Sequence, residues 1–165
     1  MTEAEWLVSD NPEAMLHALE PRASSGKLSL KLTRWLKTCF AKANRNIEWN
    51  IGDHSKLVLR WARSNEWDSA CPLAYRAAVL RDVIGNPFRP IKFDRDWLSR
   101  DVLWVMNGPY EFPLDDGSID NMHLRVMADA LMDAGCDSED ILSHLRSPGP
   151  HVRGCHVIDL ILGRE

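Results

Sequence analysis

The sequence contains no apolar run long enough to cross a bilayer. Its densest stretches, Val157-Ile158 and Leu160-Ile161-Leu162, fall far short of the ~20 residues that a spanning helix needs. A helical membrane protein is thereby excluded. The opening Met1-Thr2-Glu3-Ala4-Glu5-Trp6 carries acids where a secretory leader would place Lys or Arg before an apolar block; the expected compartment is the cytoplasm, with no membrane partner. Glycine-rich phosphate loops are missing too: no G-x-x-x-x-G-K and no G-x-G-x-x-G occurs, which removes nucleotide binding by a standard loop. No G-x-S-x-G elbow is present, so a hydrolase built on one is unsupported. Asp115, Asp116 and Asp120 lack the closing glutamate of a twelve-residue calcium loop. The four cysteines, Cys39, Cys71, Cys136 and Cys155, are widely spaced, which suits reduced buried thiols better than a disulfide framework.

What is present is the pattern of a helical protein. The 165 residues are 45% hydrophobic and 27% charged, enough for one core and one domain, 1–165. Thr2 with Glu5 fits a capping box, and Asn11-Pro12 fits an N-cap followed by a first-turn proline; two short helices should open the chain. From 27 to 44, Leu28, Leu32, Trp35, Leu36, Cys39, Phe40 and Ala43 recur at three-and-four spacing, which predicts a helix. Further helices are predicted over 53–63, over 73–84 before Gly85-Asn86-Pro87, over 94–106 before Asn107-Gly108-Pro109, and over 118–134 before Gly135. A short helix carries Ile141, Leu142 and Leu145, whereas the two prolines of 86–94 require that segment to be extended. The last segment, 151–162, fits either helix or strand; helix is favoured because no partner strand stands nearby. The expected fold is all-α, a single compact irregular bundle of seven or eight helices. Seven tryptophans fall mostly on the apolar faces and read as core.

Charge is unevenly placed. The net charge is −4 and the isoelectric point about 5.9, which lacks the footprint of an obligate nucleic-acid binder. Residues 1–20 nevertheless carry −5, residues 21–65 carry +8 and residues 66–165 carry −7. Lys27, Lys31, Arg34, Lys42 and Arg45 share the polar side of the predicted 27–44 helix. With Arg153, they are the candidate residues for an anionic partner, and a phosphate backbone is one such partner. A solvated cationic face accounts for the same pattern. The helix, glycine turn and helix of 122–146 argue against DNA reading, because Asp137, Glu139 and Asp140 stand where a recognition helix meets phosphate.

One constellation carries chemistry. Cys136, His144, His151 and Cys155 are spaced C-x7-H-x6-H-x3-C, with His156 next to the last. Two thiolates and two imidazoles would complete a tetrahedral Zn²⁺ shell, and His151 and Cys155 would share a face if their segment is helical. The spacing lacks the tight C-x2-4-C knuckle of zinc fingers and ribbons. The alternative is that both cysteines are buried hydrophobes and the histidines caps or surface residues. Cys155 with His151 or His156 as base would be the corresponding nucleophilic reading, though no nucleophile signature surrounds it.

The chain also resembles a family of uncharacterised bacterial proteins abundant in planctomycetes. The likeness is carried by Met1–Leu7 with Asp10-Asn11-Pro12 and Met15-Leu16, by Leu80-Arg81-Asp82 with Gly85-Asn86-Pro87-Phe88-Arg89-Pro90, and by a closing set of motifs. These are Ala128-Asp129-Ala130-Leu131, Ala134-Gly135-Cys136, Asp140-Ile141-Leu142 with His144 and Arg146, Gly149 through Cys155, Asp159-Leu160 and Leu162-Gly163. Together they cover under half of the chain. The resemblance implies no activity; it marks Cys136, His144, His151, Arg153 and Cys155 as motif members. The family's cysteine-rich segment after the first helices is reduced here to Cys39. The functional expectation is a non-catalytic protein-interaction module. A structural-zinc protein, an enzyme with its site near the C-terminal His/Cys motif, and a nucleic-acid accessory protein using the basic face are the alternatives.

Overall fold

A computed structural model of the chain describes residues 1–19, 31, 32, 35, 39, 71–111, 114 and 118–164. Among them the protein is all-α, with seven helices and no strand. The helices are α1 (Glu3–Val8), α2 (Pro12–Leu19), α3 (Leu73–Ile84), α4 (Arg100–Glu111), α5 (Asn121–Asp133), α6 (Glu139–Arg146) and α7 (His156–Leu162). A 3-10 turn, Arg95–Trp97, precedes α4.

Local chemistry sets the helix ends. The Thr2 hydroxyl accepts the Glu5 N–H while the Glu5 carboxylate accepts the Thr2 N–H, closing the capping box of α1. Asn11 accepts the N–H groups of Glu13 and Ala14 at the start of α2. Asp120 does the same for Met122 at the start of α5. The C-terminal end of α1 is closed from another helix: Arg81 of α3 donates to the carbonyls of Trp6 and Ser9, where cations complement the exposed carbonyls. α3 stops at Gly85, whose φ of +77° suits a residue without Cβ.

Two apolar clusters result. The first joins Trp6, Met15, Leu16, Leu19, Leu32, Trp35 and Cys39 to Ala77, Val79, Leu80 and Val83 of α3. The second joins α4, α5, α6 and α7 through Val102, Met106, Leu124, Met127, Leu131, Ile141, Leu145, Val157, Ile158 and Ile161. Val152, in the tail before α7, belongs to the first cluster, so the tail reaches across from one to the other. All four cysteines are free and buried.

The structure corrects several boundaries. α4 begins at Arg100 and runs through Asn107-Gly108-Pro109 to Glu111. Pro109 forfeits only the one bond its missing N–H would have made, and the helix ends two residues later. The 151–162 segment is helical only from His156; before it lie a cis Gly149-Pro150 bond and a lone bridge between Ser118 and Val152. Trp104 is 81% exposed and is one of the tryptophans outside the apolar faces. Of the predicted 27–44 helix, Lys31, Leu32, Trp35 and Cys39 are helical, while its remaining residues and the predicted 53–63 helix lie outside the described residues.

Candidate metal centre

Three of the four sequence-selected ligands meet, and the fourth partner comes from elsewhere. One ligand atom from each of Asp82, His144, His151 and Cys155 lies within 4.8 Å of every other. Cys136 is not in this group: Gly135 ends α5, and Cys136 turns inward to pack with Leu131, Ile141 and Leu145 in the second cluster. Asp82, in the last turn of α3, was not singled out by the spacing. Its signal is a carboxylate set between the buried Val79 and Val83 of an apolar helix face.

Each ligand sits on a fixed piece of chain. Asp82 is on α3 and His144 on the last turn of α6. His151 lies in the turn after the cis Gly149-Pro150 bond, and Cys155 is the N-cap of α7, so His151 and Cys155 converge through a turn and not along one helix face. His144 Nε2 lies 3.1 Å from Cys155 Sγ and 3.2 Å from Asp82 Oδ1. His151 Nδ1 lies 2.9 Å from Asp82 Oδ1. In a tetrahedral zinc site with bonds of about 2.0–2.3 Å, donors stand roughly 3.3–3.7 Å apart, so these three pairs must open slightly to take the ion, while the remaining pairs stand within 4.8 Å.

A second layer orients them. Asp82 Oδ2 accepts the Val152 N–H at 2.9 Å. The other nitrogen of His151 faces the Ser147 hydroxyl at 3.1 Å and the Ser147 carbonyl at 3.3 Å. Ser147, His151 and Asp82 thus share the connectivity of a serine hydrolase triad. With Nδ1–H donated to Asp82, Nε2 accepts from the Ser147 hydroxyl; with Nδ1 on a metal, the proton moves to Nε2 and faces the Ser147 carbonyl, which takes away the base that the serine would need. Ligation through Nδ1 with Nε2–H donated to a carbonyl is the usual second-shell arrangement of a metal-bound histidine. His156 Nδ1 donates to the Asp82 carbonyl at 2.7 Å, and its ring stands edge-on to His144 with centroids 4.5 Å apart.

Burial and charge shape the electrostatics. Cys155, His151 and Asp82 are buried, whereas the His144 side chain is 19% exposed. Burial pushes the Asp82 carboxyl up, but hydrogen bonds from His144 and His151 and the attraction of those imidazoles outweigh it, leaving the pKa at about 2. Burial, reinforced by the Asp82 charge, raises the Cys155 thiol well above its ordinary range. A buried thiol that resists ionisation is a poor nucleophile without a metal, which weighs against Cys155 as a catalytic group. Burial, then the neighbouring His144, brings His156 down to about 4, with Lys31 contributing in the same direction.

Two consequences can be measured. In the unfolded chain His156 takes up a proton near its ordinary value of 6.5, but in the folded one only near 4. The unfolded state therefore binds more protons in that window, and stability falls as the pH drops through it. The metal-free protein should lose about 2 kcal/mol between pH 7 and pH 5 from this group alone, read from urea midpoints. Asp82, depressed to about 2, adds a further loss below pH 4. The second consequence concerns Gly85: a Cβ there would stand 2.5 Å from Cδ2 of His156, at φ +77°. Gly85→Ala should cost roughly 1–3 kcal/mol in the same assay.

The other sequence-selected residues are placed as follows. Arg153 is exposed, in the turn before α7, and Lys31 is half-buried. Lys27, Arg34, Lys42 and Arg45 lie outside the described residues. A cleft of about 420 Å³ opens beside the cluster, lined by Asp82, His144, His151 and His156 with Trp6, Ile91 and Pro150 among its apolar walls. No helix among the described residues is long and apolar enough to cross a membrane.

No protein-family model matches the chain, and no curated protein or solved structure matches it either.

Proposed function

We propose that the protein binds one zinc ion through Asp82, His144, His151 and Cys155, and that this ion holds α3 to the C-terminal tail. The observation that carries the reading is the convergence of four metal-ligating side chains, from α3, α6, the tail and the start of α7, on one buried point. Two imidazoles, a thiolate and a carboxylate suit zinc. Carboxylate and thiolate together balance its charge, which a buried dication requires. All four donors come from the protein, the closed arrangement of a structural site, and this keeps the expectation of a non-catalytic module.

Elemental analysis of protein purified without added metal tests it. One equivalent of zinc is expected, lost on dialysis against a strong chelator and restored by stoichiometric Zn²⁺. Less than about a tenth of an equivalent, with none taken up on addition, would remove the proposal.

A further inference from the structure

The cleft beside the cluster has polar walls, but most of their hydrogen-bonding capacity is already used. Asn86 accepts from the backbone of Phe88 and Arg89 and donates to Glu3. Arg89 is paired with Glu3 and Asp140. Arg81 donates to the carbonyls at the end of α1. Ser147 faces His151. Ser143 also lines the cleft, but its hydroxyl turns to donate or accept equally well.

Two ring nitrogens of fixed polarity remain. His156 donates from Nδ1 to the Asp82 carbonyl, so its Nε2 carries the lone pair and accepts. His144 presents Nε2 to Asp82 and Cys155, while its Nδ1 has no hydrogen-bond partner among the described residues. It is not among the buried side-chain atoms that lack a partner. His144 Nδ1 is therefore not shut away from solvent, and His144 lines this cleft. When Nε2 binds a metal, the proton of the neutral imidazole must sit on Nδ1, which makes Nδ1 a donor. Without the metal, an Nε2 proton donated to Asp82 leaves Nδ1 an acceptor.

We propose that the zinc-loaded cleft binds a primary carboxamide, whether on a small molecule or on an Asn or Gln side chain. The carbonyl accepts from His144 Nδ1–H and the amide N–H donates to His156 Nε2. The two rings stand edge-on with centroids 4.5 Å apart and both line the cleft, so a carboxamide seated there meets a donor from one ring and an acceptor from the other. Trp6, Ile91 and Pro150 would cover the apolar body attached to it. The inference rests on the zinc reading, and it makes the metal the switch: emptying the site turns a donor–acceptor pair into two acceptors.

The test uses benzamide and N,N-dimethylbenzamide, which differ in having or lacking the N–H. Zinc content is measured first, on the same sample. The zinc-loaded protein should bind benzamide at least about tenfold more tightly than its dimethyl analogue, because the analogue leaves the His156 acceptor unpaired. The preference should vanish in His156→Leu, whereas metal-free protein should bind both amides more weakly, because their shared carbonyl loses the His144 Nδ1–H donor. Nitrogen-15 spectra of the histidine rings give a second readout that needs no variant: a proton on His144 Nδ1 with zinc bound, and on Nε2 without it. Equal affinity for the two amides in zinc-loaded protein, or no saturable benzamide binding to it, overturns this proposal while the zinc reading stands. Failure to take up zinc overturns both.

Discussion

Asp82→Ala should destabilise the metal-free protein by about 3–5 kcal/mol, the range observed when one partner of a buried charged pair is removed. The magnitude follows from what the carboxylate supports. Oδ1 meets His144 and His151, Oδ2 accepts the Val152 N–H, and the group is 3% exposed. Truncation strands two imidazoles and a backbone donor at a buried position. Asp82→Asn keeps the shape and some of the hydrogen bonding, so it should cost less. Urea midpoints of the wild type and the two variants, each freed of metal, check the order; an Asp82→Ala midpoint equal to that of wild type would contradict it.

The second large effect is expected from the metal. At free zinc about a thousandfold above its dissociation constant, binding to the folded state alone adds about 4 kcal/mol. For a chain of this length that corresponds to a rise in Tm of roughly 8–16 °C, reversed by chelation. The loss should be local as well as global. The ion would join the end of α3, in the first apolar cluster, to a tail that leads into the second. Chelation should therefore speed amide exchange most at Val152, whose N–H is held by Asp82, and change it least within the α5–α6 pair. Uniform acceleration across the chain would argue that the ion does not bridge the two clusters.

Much of this was legible in the sequence, and the parts that were not have specific causes. Helices with a side-chain cap and a clear stop were found near their true limits: Thr2 and Glu5 for α1, Asn11-Pro12 for α2, Gly85 for α3. Where a stop signal was weak in energy, the reading failed. Pro109 lies in the last turn of α4, where the loss of a single N–H does not end a helix. The tail is helical, as the absence of a partner strand favours, but only from His156, because the backbone before it is turned at Gly149 and Gly154.

The site shows the same division. His144, His151 and Cys155 are close in sequence and were found by spacing. Cys136 satisfied the same arithmetic, but the chain reverses at Gly135 and buries the thiol among apolar side chains. Asp82 is separated from His151 by 69 positions, a distance that no local pattern spans. Its register between Val79 and Val83 was the available clue, since a carboxylate on a buried helix face must find a compensating partner. The basic face read from Lys27, Lys31, Arg34, Lys42 and Arg45 lies largely outside the described residues and takes no part in this account.

Cobalt(II) titration of the metal-free protein tests the central claim most directly, because it reports ligand identity along with binding. The account predicts a saturable 1:1 complex with the intense visible bands of tetrahedral cobalt and a near-ultraviolet thiolate charge-transfer band. The charge-transfer band should be lost in Cys155→Ser and retained in Cys136→Ser, with cobalt bound more weakly and the visible bands shifted in Asp82→Ala, where water takes the fourth position. A spectrum of hydrated cobalt alone, or a thiolate band that disappears with Cys136 and survives without Cys155, would contradict it.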